Sequence, residues 1–347
     1  MLYGDNAYFA IGQQSVLVPV PVFVRGSASI VGSKEGKGPM GELFDVVSED
    51  DYIGCDSWEA AESCLQRQAV SMTLEKTSMT PKEIRYLFAG DLLSQSMASS
   101  FGLQDFNIPL FGVYGACSTC GESLTLGTMA VCGGFAGNVM CVISSHFASA
   151  EKEFRYPLSY GNQRPLSAAW TVTGSAAFIL SSEKTDNDLA LVTSFTTGKI
   201  VDYGLKDSFN MGCCMAPAAA DTIFRNLKDF QRHPCDYDKI ITGDLGKVGK
   251  TVLLDLLNEK GLDITEQYMD CGMEIYDPNT QDCHAGGSGC GCAAVVLSAY
   301  VLKQLASGNW HRVLFVPTGA LLSKTSYNEG NTVPGIAHAI VLERINR

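Results

Sequence analysis

A cysteine at the predicted start of a buried helix is the residue with the clearest chemical potential. Cys117 lies in Gly-Ala-Cys-Ser-Thr, between a predicted strand at 108–113 and a helix of small and apolar residues. A thiol at a helix N-terminus meets the positive end of the helix dipole and free N–H groups, and both favour the thiolate. The position therefore predicts a nucleophile. Because the chain has thirteen cysteines, a small residue that merely fills a crowded helix start is an equal alternative.

A nucleophilic cysteine needs a base within hydrogen-bond reach, and the chain has five histidines. His146 follows a predicted strand end in Ser-Ser-His, the place where α/β proteins carry functional groups. His284 precedes the Gly-rich segment 286–289. These two are the candidate bases. His338 lies inside an apolar strand, where a structural role is expected, and the remaining two are predicted to be solvated.

Composition and charge exclude several classes of function. The net charge is −12, from 25 Lys+Arg and 37 Asp+Glu, and no basic run is present, which argues against nucleic-acid binding. The Cys-x-x-Cys at 117–120 and the Cys-x-Cys at 290–292 lack a well-spaced second pair, so neither a structural metal nor a cofactor is predicted. No signal peptide and no membrane-length apolar run is visible. A cytoplasmic protein is expected, with any membrane association peripheral.

Two internal repeats divide the chain. Residues 80–92 match residues 233–245 at an offset of 153, and each copy ends in Gly-Asp-Leu, at Asp91 or Asp244. Residues 115–144 match 289–318 at an offset of 174. The difference between the offsets predicts an insertion in the second half, near 263–283. The predicted units are an N-terminal half at 1–185 and a C-terminal half at 186–347.

The elements within each half predict an α/β fold. Each contains strand–helix–strand units, which imply parallel pairing with right-handed crossovers. The two small-residue helices that begin near Cys117 and Gly291 are expected to pack together at the centre, where glycine and alanine allow close approach. Similar halves packed on each other would bury both helices.

These features carry a resemblance to a known superfamily. Doubled α/β halves, with a cysteine opening the first central helix, resemble the thiolase and condensing-enzyme superfamily. The resemblance implies a thiolase-like fold of two pseudo-symmetric halves in a five-layered arrangement. The chain is more closely similar to the stage V sporulation protein AD family of spore-forming bacteria, from about residue 15 to 344. The motifs that carry this similarity are GKGPMG at 36–41, AGDLL at 89–93, GACST at 115–119, SSH at 144–146, FRYP at 154–157, MAPAAADT at 215–222, DCG at 270–272 and AGGSGC at 285–290.

The chain departs from the condensing enzymes at their catalytic positions. Those enzymes carry a histidine after the strand that here ends in Ile-Thr-Gly-Asp244, and an asparagine or second histidine in the loop that here contains Ser288. The groups that would activate a carbonyl and stabilise an oxyanion are therefore missing there. A non-catalytic ligand-binding protein is predicted, with Cys117 as a vestigial nucleophile. The alternative is an acyl-transfer enzyme that uses Cys117 with His146 or His284.

The resemblance also implies a ligand, partners and a location. The protein is expected to help move dipicolinic acid, with or without calcium, into the developing spore. It would act in the forespore cytoplasm, peripheral to the inner spore membrane and beside the other stage V sporulation A membrane proteins. A homodimer is expected because the superfamily is usually dimeric.

The cleft between the halves is the predicted ligand pocket. Small residues around Cys117 and Ser288 are expected to form a slot for the flat pyridine ring. His146, Arg155 and Arg164 are the candidate donors for its carboxylates, because a guanidinium pairs with a carboxylate through two parallel hydrogen bonds. For the two arginines, a solvated loop is an equal alternative.

Two aspartates are candidate ligands for a calcium ion that dipicolinate would bring with it. Asp91 and Asp244 end equivalent predicted strands, which is the ligand-facing side of α/β folds. Calcium takes 6–8 oxygen ligands, and one planar chelator leaves some positions open. The alternative is that both carboxylates cap the turns that follow them.

Overall fold

The computed structural model describes residues 9–154 and 164–345, with the side chain of residue 154 left out, so Arg155 lies outside the described residues. The strands are β1 (Ala10–Ile11), β2 (Ser15–Val31), β3 (Val46–Val47), β4 (Tyr86–Gly90), β5 (Leu110–Gly112), β6 (Asn138–Ser145), β7 (Trp170–Thr171), β8 (Gly174–Ser181), β9 (Ala190–Thr196), β10 (Lys239–Thr242), β11 (Tyr268–Asp270), β12 (Gly287–Ser288), β13 (Arg312–Val316), β14 (Thr318–Ala320), β15 (Gly335–Ala337) and β16 (Ala339–Glu343). The helices are α1 (Ser33–Gly36), α2 (Trp58–Thr77), α3 (Met97–Leu103), α4 (Thr119–Cys132), α5 (Phe147–Phe154), α6 (Met211–Asp229), α7 (Gly246–Asn258), α8 (Cys271–Glu274), α9 (Cys290–Val296), α10 (Leu302–Ser307) and α11 (Lys324–Asn328).

The strand order of the main sheet is symmetric about its centre, because equivalent strands of the two halves take mirrored positions. It runs β11-β10-β13-β16-β9-β2-β8-β6-β4-β5, with β1 and β3 paired to β2. The first five positions belong to the C-terminal half and the last five to the N-terminal half. Parallel pairs lie at both ends, and the antiparallel pair β2–β9 joins the halves at the centre. The predicted boundary at residue 185 falls between β8 and β9 and stays a prediction.

Successive side chains of a strand point to opposite faces of the sheet, and this alternation separates five layers. In β6, Cys141 and Ile143 face the interior shared with α4 and α9, whereas Met140 and Val142 face α2 on the outside. In β13, Phe315 faces the same shared interior while its neighbours face α6 and α7. The order is therefore outer helices, half-sheet, central helices, half-sheet, outer helices.

The turns before equivalent strands are capped in the same way in the two halves. A 3₁₀ turn that begins with proline precedes both β4 and β10. In the first, the Thr80 backbone N–H donates to the Glu83 carboxylate at 2.8 Å. In the second, the His233 backbone N–H donates to the Asp236 carboxylate at 2.7 Å. The same hydrogen-bonded turn thus directs the chain into equivalent strands.

The second half carries an extra segment after its edge strand. Part of the proposed insertion at 263–283 is β11, which takes the edge position that β5 takes in the other half. The segment without a counterpart is α8 and the loop that leads to β12. This loop contains Asp282 and His284, both of which contact Arg164 or its neighbour Pro165.

The second central helix is long and apolar. A π-type turn at Leu297–Val301 joins α9 and α10 into one helix, Cys290–Ser307. Among the described residues, this helix alone is long and apolar enough to span a membrane by length and composition. Because 72% of it is buried inside the protein, its apolar character is that of a core helix.

Candidate functional site

Cys117 lies in the entry turn of the first central helix. A 3₁₀ turn, Ala116–Ser118, leads directly into α4, as the sequence predicts. Ala116 has a φ of 51°, a left-handed conformation that is unfavourable for a residue with a Cβ atom. Backbone strain of this kind collects at functional positions. The turn directs the Cys117 side chain toward a narrow cleft between the two halves.

The cleft is small and mostly apolar. Its free volume is about 30 Å³, which is room for roughly two water molecules. A pyridine ring with two carboxylates is several times larger, so a ligand of that size requires side chains around the cleft to move. The described residues that line it are Leu92, Ala116, Cys117, Ala150, Glu151, Thr171, Met211, Ser288, Ala320 and Leu322.

Asp244 lies beneath the cleft and contacts the thiol of Cys117. Its carboxylate accepts hydrogen bonds from the Gly289 backbone N–H at 2.9 Å, from Ser288 Oγ at 3.2 Å and from Thr318 Oγ1 at 3.0 Å. The fourth contact comes from Cys117 itself. Asp244 therefore joins groups from both halves, and the structure brings three predicted residues, Cys117, Asp244 and Ser288, into one site.

Burial determines the protonation of this pair. It raises the pKa of the Cys117 thiol well above its ordinary value, and the nearby Asp244 carboxylate raises it further. Burial also raises the pKa of Asp244 to about 7, although the bond from Cys117 acts in the opposite direction. The thiol is therefore protonated near neutral pH and donates to a carboxyl group. A helix N-terminus alone predicts a thiolate, but desolvation is the larger effect here.

His146 is not placed to act as base or as carboxylate donor. Its Nε2 lies 2.7 Å from the Asp51 carbonyl oxygen, and its Nδ1 accepts from the Ala148 backbone N–H at 3.2 Å. An Nδ1 that accepts requires the proton on Nε2, so both ring nitrogens are committed to backbone groups. Burial lowers the pKa of the imidazole and keeps it neutral. His146 holds the segment around Asp51 in place.

Asp91 does not reach the cleft. Its Oδ1 accepts from the Leu93 backbone N–H at 2.9 Å, and its Oδ2 accepts from the backbone and side chain of Ser99 at 2.8 and 2.7 Å. It therefore caps the turn after β4, as the alternative prediction stated. In the second half the corresponding turn is capped by Asp270, which accepts from Leu245 at 2.9 Å. Asp270 thus leaves Asp244 free to face Cys117.

Arg164 and His284 also lie outside the cleft. Arg164 Nη2 donates to the Asp282 carboxylate at 3.0 Å, and the guanidinium packs against the Trp170 ring. His284 contacts Asp282 through Nε2 at 3.0 Å and the Pro165 carbonyl through Nδ1 at 2.9 Å. Neither side chain approaches Cys117, so neither the predicted donor Arg164 nor the candidate base His284 joins the predicted slot.

Thr318 and Met211 are site residues that sequence reasoning missed. Thr318 aligns with Ser144 at the offset of 174, so the repeat places it at a strand end, but it does not indicate a bond to Asp244. Met211 begins α6 and lines the cleft. No pattern in the sequence separates this methionine from an ordinary core residue.

The described residues contain no group of three or more His, Cys, Asp or Glu side chains that could hold a metal ion. The thirteen cysteines, all within the described ranges, are free thiols, and eight of them are buried. In the part of the chain that the structure describes, a metal ion at the cleft would therefore depend on ligand atoms from the molecule that brings it.

Comparison with solved structures establishes the fold. OleA of Xanthomonas campestris superposes with a TM-score of 0.61 at 13% identity, covering 98% of this chain and 100% of that chain. Human mitochondrial 3-ketoacyl-CoA thiolase superposes with a TM-score of 0.58 at 14% identity, covering 96% and 100%. The predicted thiolase-like α/β fold is confirmed. Identities this low carry the fold and not the chemistry.

Sequence comparison establishes the family. A family model described as Stage V sporulation protein AD (SpoVAD) matches residues 12–343. Stage V sporulation protein AD of Bacillus subtilis (strain 168) is 44% identical over 333 residues, which cover 96% of this chain and 97% of that protein. The predicted family and a role in sporulation are both confirmed. This chain therefore belongs to the stage V sporulation protein AD family.

Proposed function

We propose that this protein binds dipicolinic acid as its calcium chelate in the Cys117 cleft, without catalysing a reaction, while dipicolinate moves into the developing spore. The observation that carries the proposal is the contact between Cys117 and Asp244. A protonated thiol bonded to a carboxyl group, with no histidine contact within the described residues, is suited to binding and not to nucleophilic attack.

Charge favours the chelate over the free dianion. A net charge of −12 repels free dipicolinate at long range. The described lining of the cleft contains no lysine, arginine or histidine that would offset this repulsion. Calcium cancels both carboxylates and keeps open coordination positions, and the Asp244 carboxylate is the buried oxygen donor next to the cleft.

Binding requires the cleft to widen. Met211 and Leu322 both line it, and each is a long, unbranched or γ-branched side chain that can change rotamer. Ala320 lines the same cleft from β14, where a larger side chain would fill it. Two substitutions therefore change the volume in opposite directions without touching Cys117 or Asp244.

Calorimetric titration of dipicolinate, with and without calcium, tests the proposal. We expect calcium-dependent binding in the wild type, at least tenfold weaker binding in Ala320→Leu because the cleft is filled, and tighter binding in Leu322→Ala. Thermal melts check that both variants fold. Calcium-dependent binding that is unchanged in Ala320→Leu would place the ligand elsewhere.

An acyl-transfer enzyme is the alternative function. The strained turn at Ala116 and the cleft-facing thiol of Cys117 are what favours it. Incubation with acyl-CoA thioesters of several chain lengths, followed by intact-mass measurement, distinguishes the two. An acyl adduct that is lost in Cys117→Ser would support the enzyme, and no adduct at any chain length would support the binding protein.

We also propose that the protein works as a homodimer beside the other stage V sporulation A membrane proteins, at the forespore side of the inner spore membrane. Support for the dimer comes from the sheet edge at β5, where Leu110 and Phe111 are 41% and 52% exposed. At the opposite edge, Met269 and Asp270 of β11 are buried. An exposed apolar edge strand is a surface that a second chain can cover.

A further inference from the structure

A basic cluster lies on the far side of the ribbon that borders the cleft. Thr171 and Trp170 are neighbours in β7, so their side chains point to opposite faces, and Thr171 lines the cleft. On the other face, Lys34 Nζ lies 3.5 Å from the Trp170 ring centroid and the Arg164 guanidinium carbon lies 4.7 Å from it. Phe147 stacks on the same ring at 3.8 Å. Two cations are thus held together by one indole ring.

Arg164 has buried donors without acceptors. Its side chain is only 2% exposed, and its Nη2 donates to Asp282. Within the residues that the structure describes, Nε and Nη1 have no hydrogen-bond partner. A buried N–H group of a charged side chain that lacks an acceptor is strongly destabilising, so such a group indicates a missing partner. A carboxylate or a phosphate is the partner that best matches the planar fork of donors on a guanidinium.

Asp282 supplies the carboxylate that contacts Arg164, and it does so from an exposed position. Its side chain is 69% exposed, and its backbone oxygen accepts from Lys34 Nζ at 3.0 Å and from Arg164 Nη2 at 3.2 Å. Since both nitrogens contact the same oxygen, they are direct neighbours. Glu35, next to Lys34 in the chain, is a second carboxyl group near the cluster, but burial raises its pKa to about 7, so it offsets the two cations only in part at neutral pH.

The repulsion between the two cations is visible at Lys34. Burial lowers the pKa of its ammonium group, and the charge of Arg164 lowers it further. The carboxyl groups of Asp282 and Glu35 act in the opposite direction but do not compensate, since the pKa stays lowered. A second negative charge placed between Lys34 and Arg164 would remove this imbalance.

We propose that Lys34 and Arg164 form a binding site for a small dicarboxylate, which enters by displacing the exposed carboxylate of Asp282. One carboxylate of the ligand replaces Asp282 on the Arg164 guanidinium, and the second neutralises Lys34. Asp282 is then an internal competitor that occupies the site when no ligand is bound. This site goes beyond the function proposed above, because it lies outside the Cys117 cleft and needs no calcium.

Titration with calcium-free dipicolinate tests the site, because two substitutions should change the affinity in opposite directions. We expect roughly tenfold weaker binding in Arg164→Gln, because a charge-assisted hydrogen bond is lost, and roughly tenfold tighter binding in Asp282→Asn, because the competitor loses its charge. Arg85→Gln is the matched control. Arg85 is exposed and does not belong to the cluster, and this substitution changes the net charge by the same amount as Arg164→Gln. We expect it to bind as the wild type does.

Further variants separate this site from the cleft. If Arg164→Gln fails to fold, Lys34→Gln replaces it, because Lys34 is only partly buried. Calcium-free binding that survives Arg164→Gln, or that is not tightened by Asp282→Asn, would overturn the proposal. Loss of that binding in Ala320→Leu would place the ligand in the cleft and leave only the cleft proposal standing. Inorganic phosphate bound as tightly as dipicolinate would contradict the dicarboxylate assignment.

Discussion

Asp244 sets the chemistry of Cys117 through its charge. Above pH 7 its carboxylate is ionised and, together with burial, holds the pKa of the thiol high. Bonds from Gly289 and Ser288 act in the opposite direction but are weaker. Replacement of Asp244 by asparagine should therefore lower the pKa of Cys117 and increase its thiolate fraction. A thiolate fraction changes about tenfold for each unit of pKa.

We predict that Asp244→Asn makes Cys117 react roughly three- to tenfold faster with iodoacetamide at pH 8.5. Peptide mass spectrometry over time follows this one cysteine among thirteen. Thr318→Val is the matched control, since it removes a hydrogen bond to Asp244 at 3.0 Å but keeps the charge. Equal acceleration in both variants would mean that loosened packing, and not charge, exposes the thiol.

The residues of the site were predictable only where the repeat placed them. Cys117, Asp244 and Ser288 follow from the helix start and the two strand ends that the repeat aligns. The sequence assigns His146 to the cleft because it follows a strand end, and Arg164 because a guanidinium suits a carboxylate, and neither reason specifies what the side chain contacts. In β7, a one-residue shift would exchange Thr171, which lines the cleft, with Trp170, which contacts Arg164. That register is set by the pairing of β7 with β12, which no local pattern specifies.

At the scale of elements, a buried polar network joins α2, β6 and α5. Glu62 of α2 accepts from Ser144 Oγ at 2.9 Å and from Ser149 Oγ at 2.6 Å. Burial raises the pKa of Glu62 to about 8, and the charge of Asp91 raises it further. A carboxyl group whose pKa is higher in the folded protein stabilises the fold at low pH. That contribution is lost as the pH rises through about 8.

We predict that the free energy of unfolding of the wild type falls between pH 6 and 9, and that Glu62→Gln reduces this fall by about 1–3 kcal/mol. Glutamine stays neutral and donates to Ser149 in place of accepting from it. Urea unfolding at several pH values measures the difference. Glu83→Gln is the control, because the pKa of this exposed carboxyl group is lowered, so that the group titrates below this range. Identical pH dependence in the wild type and Glu62→Gln would contradict the assignment.

At the scale of the whole molecule, the duplication explains most of what was predictable. Equivalent elements fold alike because they have the same turns, alternation and small-residue helices, so two matching offsets were enough to predict the halves. The joining of the halves was not predictable. It depends on β2, whose 17 residues pair with β8 along one part and with β9 along another. A strand shared between two half-sheets leaves no signature in local periodicity.

The sheet edge at β5 is the surface that we propose for self-association. The Val113 backbone N–H donates to Ala89 at 2.9 Å, so alternate residues of β5 point their backbone groups away from β4 and toward solvent. Leu110 and Phe111 add exposed apolar side chains, and Tyr114, 51% exposed, follows them. An edge strand with free backbone groups and apolar side chains pairs readily with an identical strand.

We predict that the wild type sediments as a dimer at micromolar concentration and that Leu110→Lys converts it to a monomer, because a lysine on an edge strand prevents strand pairing. Leu205→Lys is the matched control. Leu205 is 38% exposed, it lies outside the main sheet, and the charge change is the same. Analytical ultracentrifugation should show a dimer for the control. A dimer that persists in Leu110→Lys but dissociates in Leu205→Lys would move the interface from the sheet edge to the surface around Leu205. A monomeric wild type would leave β5 for a different protein to cover.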